Sequence, residues 1–325
     1  MTHSALITGL TGQDGSFLAE LLLEKGYEVT GVLRRDSGGA LGSSEHLRDR
    51  VGLIHGDLHD PDSLRAAVLE VAPREIYHLA APSFVPASWQ RPRETVEAIA
   101  GSCAAILEAA RTLDQGTRVF VSSSGAMFGR APESPQSEET WCRPATPYAV
   151  AKLAAHQLAG LLRGHGELHV SSGILFNHES ERRPEQFVTR RVSRGVAAIA
   201  LGLQDHLSLG SLDAVRDWSF AGDIVRGAWM MLQQDEPADY VLASGTGHTV
   251  AELASVAFGC VDLEPERYVR VDPTLVRAPD PTPSVGDPAR ARERLGWYPE
   301  VSFEQLVERM VSADLRSLQA MGATP

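Results

Sequence analysis

Short apolar runs and amphipathic segments take turns from the N-terminus onward. "ALIT" (Ala5–Thr8), "EVTGVL" (Glu28–Leu33), "GLIHGDL" (Gly52–Leu58), "EIYHLAA" (Glu75–Ala81), "RVFVSSS" (Arg118–Ser124) and "LHVSSGILF" (Leu168–Phe176) have the length and apolar content of strands. Between them, Ser16–Gly26, Pro61–Val71, Thr95–Thr112 and Pro147–Arg163 carry apolar residues at helical spacing. Strands alternating with helices predict an α/β fold, a doubly wound parallel sheet covered on both faces. In such sheets ligands sit beyond the carboxyl ends of the strands.

After residue 176 the rhythm changes. Loops lengthen and Pro, Arg and polar residues increase. A helix over Ala221–Gln234 and the short strand "DYVLAS" still fit the main layer. The expected organisation is therefore a first unit over residues 1–176, completed by about 217–243, and a smaller C-terminal lobe from 177–216 and 244–325. The Pro-rich "RAPDPTPSVGDP" reads as an ordered loop over the site. Trp141, Trp218 and Trp297 are expected to pack in the core or the lobe.

"TGLTGQDG" (Thr8–Gly15) places Gly9, Gly12 and Gly15 between the first strand and the first helix. Glycine permits the tight turn, and a helix N-terminus attracts a pyrophosphate. A Gly triplet alone is a weak signal, but strand before and helix after make it a dinucleotide-binding loop, with Gln13 and Asp14 inside it. At the end of the second strand stands Leu33, followed by Arg34 and Arg35, where NAD enzymes usually carry a carboxylate. Two guanidinium groups suit a ribose 2′-phosphate, so NADP is preferred; Asp36 keeps NAD open. Asp57 and Leu58 at the end of the third strand, and Ala80 near the end of the fourth, complete the expected cofactor contacts.

"YAVAK" sets Tyr148 and Lys152 four residues apart, on one face of a helix. A nearby ammonium is expected to lower the phenol pKa, so that Tyr148 takes a hydroxyl proton while hydride leaves the carbon. Ser124, at a strand end, is expected to hold the same hydroxyl.

Composition narrows the class. The net charge of −12 argues against a nucleic-acid binder, although local arginines can still hold an anionic ligand. The N-terminus has no signal-peptide pattern and no apolar stretch is long enough to span a bilayer. Three widely spaced cysteines, Cys103, Cys142 and Cys260, point to a reducing cytoplasm and to neither a disulfide framework nor a zinc site. The pairs His55/His59 and His165/His169 fall at strand–loop junctions, and no metal is expected. Only Lys25 and Lys152 are lysines, an arginine bias typical of GC-rich genomes such as those of actinobacteria.

On these motifs the chain resembles the extended short-chain dehydrogenase/reductase superfamily. Within it, "ALITGLTGQDGSFLAELLLEKGYEV", "PYAVAKL", "GILFNHESERRPEQFVTRR", "RDW" and "GDPARARERLGWYPE" resemble GDP-mannose 4,6-dehydratases. The resemblance implies a Rossmann domain with a small nucleotide-sugar lobe, and a dimer built on helices such as Thr95–Thr112 and Pro147–Arg163, with pairing into a tetramer open. It implies a GDP-sugar held by Asn177, Val188, Arg191, Arg216, Arg277 and Asp280, with Ser83 facing the sugar.

One position departs from that pattern. In "VSSSGAMFG", Ala126 stands where the dehydratase strand end resembles S-T-S-E-L-Y-G and carries Glu. Elimination across C5 and C6 needs an acid–base group worth roughly 10²–10⁴ in rate, which a methyl cannot supply. The stretch also resembles "SSSATVYG" of nucleotide-sugar 4-epimerases, which need only Ser, Tyr, Lys and nicotinamide; Gly125 and Ala126 would leave the sugar room to turn. A GDP-sugar 4-epimerase is the preferred reading, with a GDP-linked heptose or octose of antibiotic biosynthesis as a narrower suggestion. The alternatives are a dehydratase with a displaced base, an NADPH-dependent 4-keto-sugar reductase, and an idle nucleotide-binding regulator.

Overall fold

The computed structural model describes residues 3–113, 116–276 and 283–322. Its centre is a seven-stranded, wholly parallel sheet. The first six strands in chain order are β1 (Ser4–Thr8), β2 (Glu28–Leu33), β3 (Gly52–His55), β4 (Glu75–His78), β5 (Arg118–Ser124) and β6 (His169–Leu175). Tyr240–Leu242 pairs with β6 at the edge, and the spatial order is β3-β2-β1-β4-β5-β6-Tyr240–Leu242. The strand order reverses between β1 and β4, and a crevice opens there at the carboxyl ends.

The apolar patterns that predicted the elements are the buried ones. α1 (Gln13–Glu24) turns Leu18, Ala19 and Leu22 into a core shared with the helix Ala221–Leu232. α2 (Pro61–Val71) and the helices Ser102–Arg111 and Pro147–Gly164 cover the other face around Leu64, Ile106, Ala151 and Ala155. A separate apolar cluster joins Val188–Ala200, Val250–Gly259 and Phe303–Gly322 around Trp218 and Phe258.

Several boundaries differ from the sequence expectation. β3 stops at His55 because Asp57 folds the chain back: it accepts the amide of His59 at 2.8 Å and, through its carbonyl, that of Asp60 at 3.0 Å. β4 stops at His78, after which the amide of Ala80 donates to the Thr8 hydroxyl at 3.2 Å instead of continuing the ladder. The third helical region begins at Pro92, a favoured first-turn residue, and passes through a π-helical turn over Glu97–Gly101. Trp218 and Trp297 are buried, but Trp141 is 81% exposed in a segment outside helix and strand. No helix among the described residues is long and apolar enough to cross a membrane.

Candidate functional site

The crevice is the mouth of a cleft of about 1600 Å³ that runs over the carboxyl ends of β1, β2, β4, β5 and β6. Gly9, Gly12, Gln13, Asp14 and Gly15 line it at one end, with Arg34, Asp57, Leu58 and Ala80. The three glycines serve different needs. Gly9 has φ +82°, and a Cβ there would meet the amide of Ala80 at 2.9 Å. A Cβ on Gly15 would lie 2.1 Å from the Gly9 carbonyl oxygen, so α1 can approach the loop only without a side chain. Gly12 is extended, and its Cβ would make only an ordinary 3.4 Å contact. Among the described residues nothing crowds a Cβ at 12, which suits a backbone cleared for a phosphate. The loop and the α1 N-terminus thus fit a dinucleotide pyrophosphate. Arg34 lines the cleft; Arg35 is exposed and does not. Gln13 is spent on structure: its amide donates to the His178 carbonyl at 3.1 Å and accepts from the Ser180 hydroxyl at 2.6 Å.

Ser124, Tyr148 and Lys152 meet at the middle of the cleft. Thr146 caps the helix that carries Tyr148 and Lys152, its hydroxyl accepting the Ala149 amide at 3.1 Å, and Pro147 fills the first turn. Tyr148 and Lys152 are 8% and 5% exposed, so their chemistry is shielded from bulk water. The Ser124 hydroxyl accepts the Ala126 amide at 3.2 Å and stands near enough to Tyr148 to pull the phenol's pKa down. Lys152 departs from expectation. Its Nζ donates to the Ser122 carbonyl at 2.6 Å and hydroxyl at 3.1 Å, and lies 6.0 Å from the Tyr148 ring centroid. Burial pushes the Tyr148 phenol up from its ordinary value, against the downward pull of Ser124 and Arg183, so the phenol is not lowered by the lysine here. Burial also holds Lys152 down to about 8.

Ala126 lines the cleft and is partly buried against the core that includes Tyr148. Gly125 also lines the cleft, and a Cβ there would meet the Phe176 ring at 3.1 Å, so glycine at this position answers to packing as well. Ser83, Asn177, Val188, Arg191 and Arg216 line the remaining wall, as do Leu275, Val276, Pro283 and Ser284. Arg277 and Asp280 fall between those last residues and lie outside the described residues.

A family model for GDP-mannose 4,6 dehydratase matches residues 6–310. The chain belongs to the GDP-mannose 4,6-dehydratase family, enzymes of the extended short-chain dehydrogenase/reductase type. It is 44% identical over 323 residues to GDP-mannose 4,6 dehydratase 1 of Arabidopsis thaliana, covering 96% of this chain and 89% of that one. It is 41% identical over 348 residues to GDP-mannose 4,6-dehydratase of Yersinia enterocolitica, covering 96% and 94%. Among solved structures it is similar to RMD from Pseudomonas aeruginosa complexed with NADPH, with TM-score 0.82, 25% identity and coverage of 98% and 99%. UDP-glucose 4-epimerase of Thermus thermophilus in complex with NAD gives TM-score 0.81, 26% identity and coverage of 96% and 98%.

In this family member, sequence reasoning missed the residues that join the two walls of the cleft. His178 lies within "GILFNHESERRPEQFVTRR" and carries ring nitrogens at both ends of a bridge: Nδ1 to the Phe176 carbonyl at 2.7 Å and Nε2 to the Asp14 carboxylate at 2.9 Å. Burial pushes His178 down, but Asp14 more than reverses it and the net shift is upward. Burial pushes Asp14 up, and His178 reverses that to a net lowering. Arg183 stacks on the Phe187 ring at 3.5 Å and lies 3.0 Å from Glu179, whose carboxylate also accepts from Thr189 at 2.7 Å. Phe187 meets Phe84 edge-on across the cleft, centroids 5.8 Å apart. Glu179 and Asp14, two of the carboxylates lining the cleft, are therefore already engaged.

Proposed function

We propose that the chain is a nucleotide-sugar 4-epimerase acting on a GDP-sugar. The observation that carries this reading is Ser124, Tyr148 and Lys152 gathered beside Ala126, an apolar wall where the family's elimination chemistry calls for a carboxylate. Asp14 and Glu179 are held by His178, Arg183 and Thr189 and are poor substitutes for a free base. The sugar is held at its diphosphate by Arg191 and Arg216, with Ser83 and Asn177 along its ring, in a lobe formed by residues 177–216 and 244–325.

The residues fit a nicotinamide dinucleotide at the glycine loop, and such a group supplies a reversible hydride acceptor. NADP is preferred because Arg34 lines the cleft where a 2′-phosphate would lie. NADPH and NAD bound to the structurally similar proteins support a nicotinamide cofactor of either kind. Tyr148 would act as its phenolate, the minor form of a phenol whose pKa burial raises and one that the positive charge of an oxidised nicotinamide would favour. It would take the proton of the C4 hydroxyl as hydride departs, and Ser124 would hold the oxygen as it becomes a carbonyl. Lys152 keeps a positive charge beside them. After the 4-keto sugar presents its other face, Tyr148 returns the proton as hydride comes back, so the reaction is redox-neutral. A heptose or octose in place of mannose remains the narrower proposal, as does a cytoplasmic setting. Exposed Val96, Val150 and Leu161, on the third helical region and on Pro147–Gly164, support a dimer formed through these helices.

Incubation with candidate GDP-sugars in D₂O, read by NMR, tests the reading. Epimerisation leaves the carbon-bound hydrogens free of solvent deuterium. A 4-keto-6-deoxy product with exchange at C5 means dehydration and sinks the proposal. Turnover only with added NADPH and a keto substrate means reduction and also sinks it.

A further inference from the structure

Asp217 is fully buried, and no cation is paired with it among the described residues. Its carboxylate is instead saturated by four donors. Oδ1 accepts the Ser244 amide at 2.9 Å and the Ser244 hydroxyl at 2.7 Å; Oδ2 accepts the Gly245 amide at 2.9 Å and the Gly286 amide at 3.3 Å. Burial without such bonds would be costly, and four of them make the ionised form tolerable.

The donors come from two separate segments, and these flank one residue. Arg216, next in the chain, lies in the strand Val215–Arg216. On one side that strand pairs antiparallel with His248–Thr249, which follows the Ser244–Gly245 turn. On the other it pairs with Ser284, through the Asp217 amide to the Ser284 carbonyl at 2.9 Å, just before Gly286. Asp217 therefore clips together both neighbours of the arginine that faces the cleft. The clip is close-fitting: a Cβ on Gly286 would meet Ala243 at 2.5 Å and Phe176 at 2.8 Å. Gln136 extends it to the opposite wall. Its amide donates to the Val285 carbonyl at 2.8 Å, its side chain to the Pro283 carbonyl at 3.1 Å, and its carbonyl accepts from Asp287 at 2.8 Å.

We infer that Asp217 is a positioning residue that fixes Arg216 for the diphosphate of the substrate. The inference rests on the proposed nucleotide-sugar reading and adds the means by which the clamp is held. A carboxylate is required because the four donors share two acceptor oxygens; an amide would turn an NH₂ towards N–H donors.

The test is a double-mutant cycle read by calorimetric titration with GDP, alongside NADPH as a control ligand. Asp217→Asn and Arg216→Ala should each weaken GDP by about 10-fold or more, the scale of a lost charge-assisted bond, and the double variant should be no weaker than Arg216→Ala. NADPH affinity should stay at the wild-type level throughout. Should Asp217→Asn fail to fold, Ser244→Ala removes one of the four bonds and should cost roughly 3-fold in GDP affinity, with no further cost on top of Arg216→Ala. Full additivity, or equal loss of NADPH affinity, overturns the inference and leaves Asp217 a general scaffold residue. Wild-type GDP affinity in Arg216→Ala removes the clamp, and with it the diphosphate assignment as well.

Discussion

His178 and Asp14 stand 2.9 Å apart and join the short strand Asn177–Glu179 to the first turn of α1. Their net shifts oppose each other, histidine upward and aspartate downward, so each stabilises the charged form of the other. The raised histidine contributes stability that is complete below its unfolded value of 6.5 and lost as pH climbs through its folded value. The lowered aspartate contributes stability that is complete above 3.8 and lost as pH drops through its folded value. The pair is thus fully effective between those two values. Thermal melts across pH should show an alkaline decline above 6.5 that His178→Gln flattens. An unchanged decline in that variant assigns it to other groups.

Gly12 and Gly15 should separate binding from folding. Gly15→Ala forces a 2.1 Å clash with backbone and should lower stability by about 2–4 kcal/mol. Gly12→Ala meets only a 3.4 Å contact and should melt like the parent, yet bind NADPH at least roughly 10-fold more weakly because the methyl stands where a phosphate approaches. Calorimetric melting and cofactor titration distinguish the two.

Ala126 should act as a chemical switch. Ala126→Glu places a carboxylate beside Tyr148 while leaving the backbone bond to Ser124 intact. NMR in D₂O should then reveal deuterium at C5 and a 4-keto-6-deoxy product that the parent does not make. Tyr148→Phe in either background should cut turnover by about 10²–10⁴. A wild-type rate in Tyr148→Phe would remove the phenol from the reaction.

Arg34 and Arg35 should differ in cofactor selection. Arg34 lines the cleft and Arg35 does not. Arg34→Ala should therefore lose about 10-fold in NADPH affinity with little change for NADH, and Arg35→Ala should lose less. Equal loss of both cofactors in Arg34→Ala would mean the guanidinium does not read the 2′-phosphate.

Much of this was legible in the chain because it is local. A period of two against a period of 3.6 marks strands and helices whatever surrounds them, and Pro147 and Thr146 announce the start of the helix that carries Tyr148 and Lys152. The spacing of Gly9, Gly12 and Gly15 is likewise a property of seven consecutive residues. Ser124 and the Tyr148–Lys152 pair could be nominated from spacing and strand ends alone.

Other features needed the tertiary structure because their partners are distant in sequence. Asp217 meets Ser244 and Gly286, and Asp14 meets His178 164 residues away; no periodicity links such pairs. That the Phe176 ring packs where a Cβ on Gly125 would point is likewise a product of the fold. Lys152 was expected to draw down the Tyr148 phenol, and the fold aims its ammonium at Ser122 while burial sets the phenol's shift. The chain alone determined which chemical groups exist and which secondary element carries each one. Only three-dimensional packing decided which of them touch and how dry they are, because contact and dielectric are products of the whole fold.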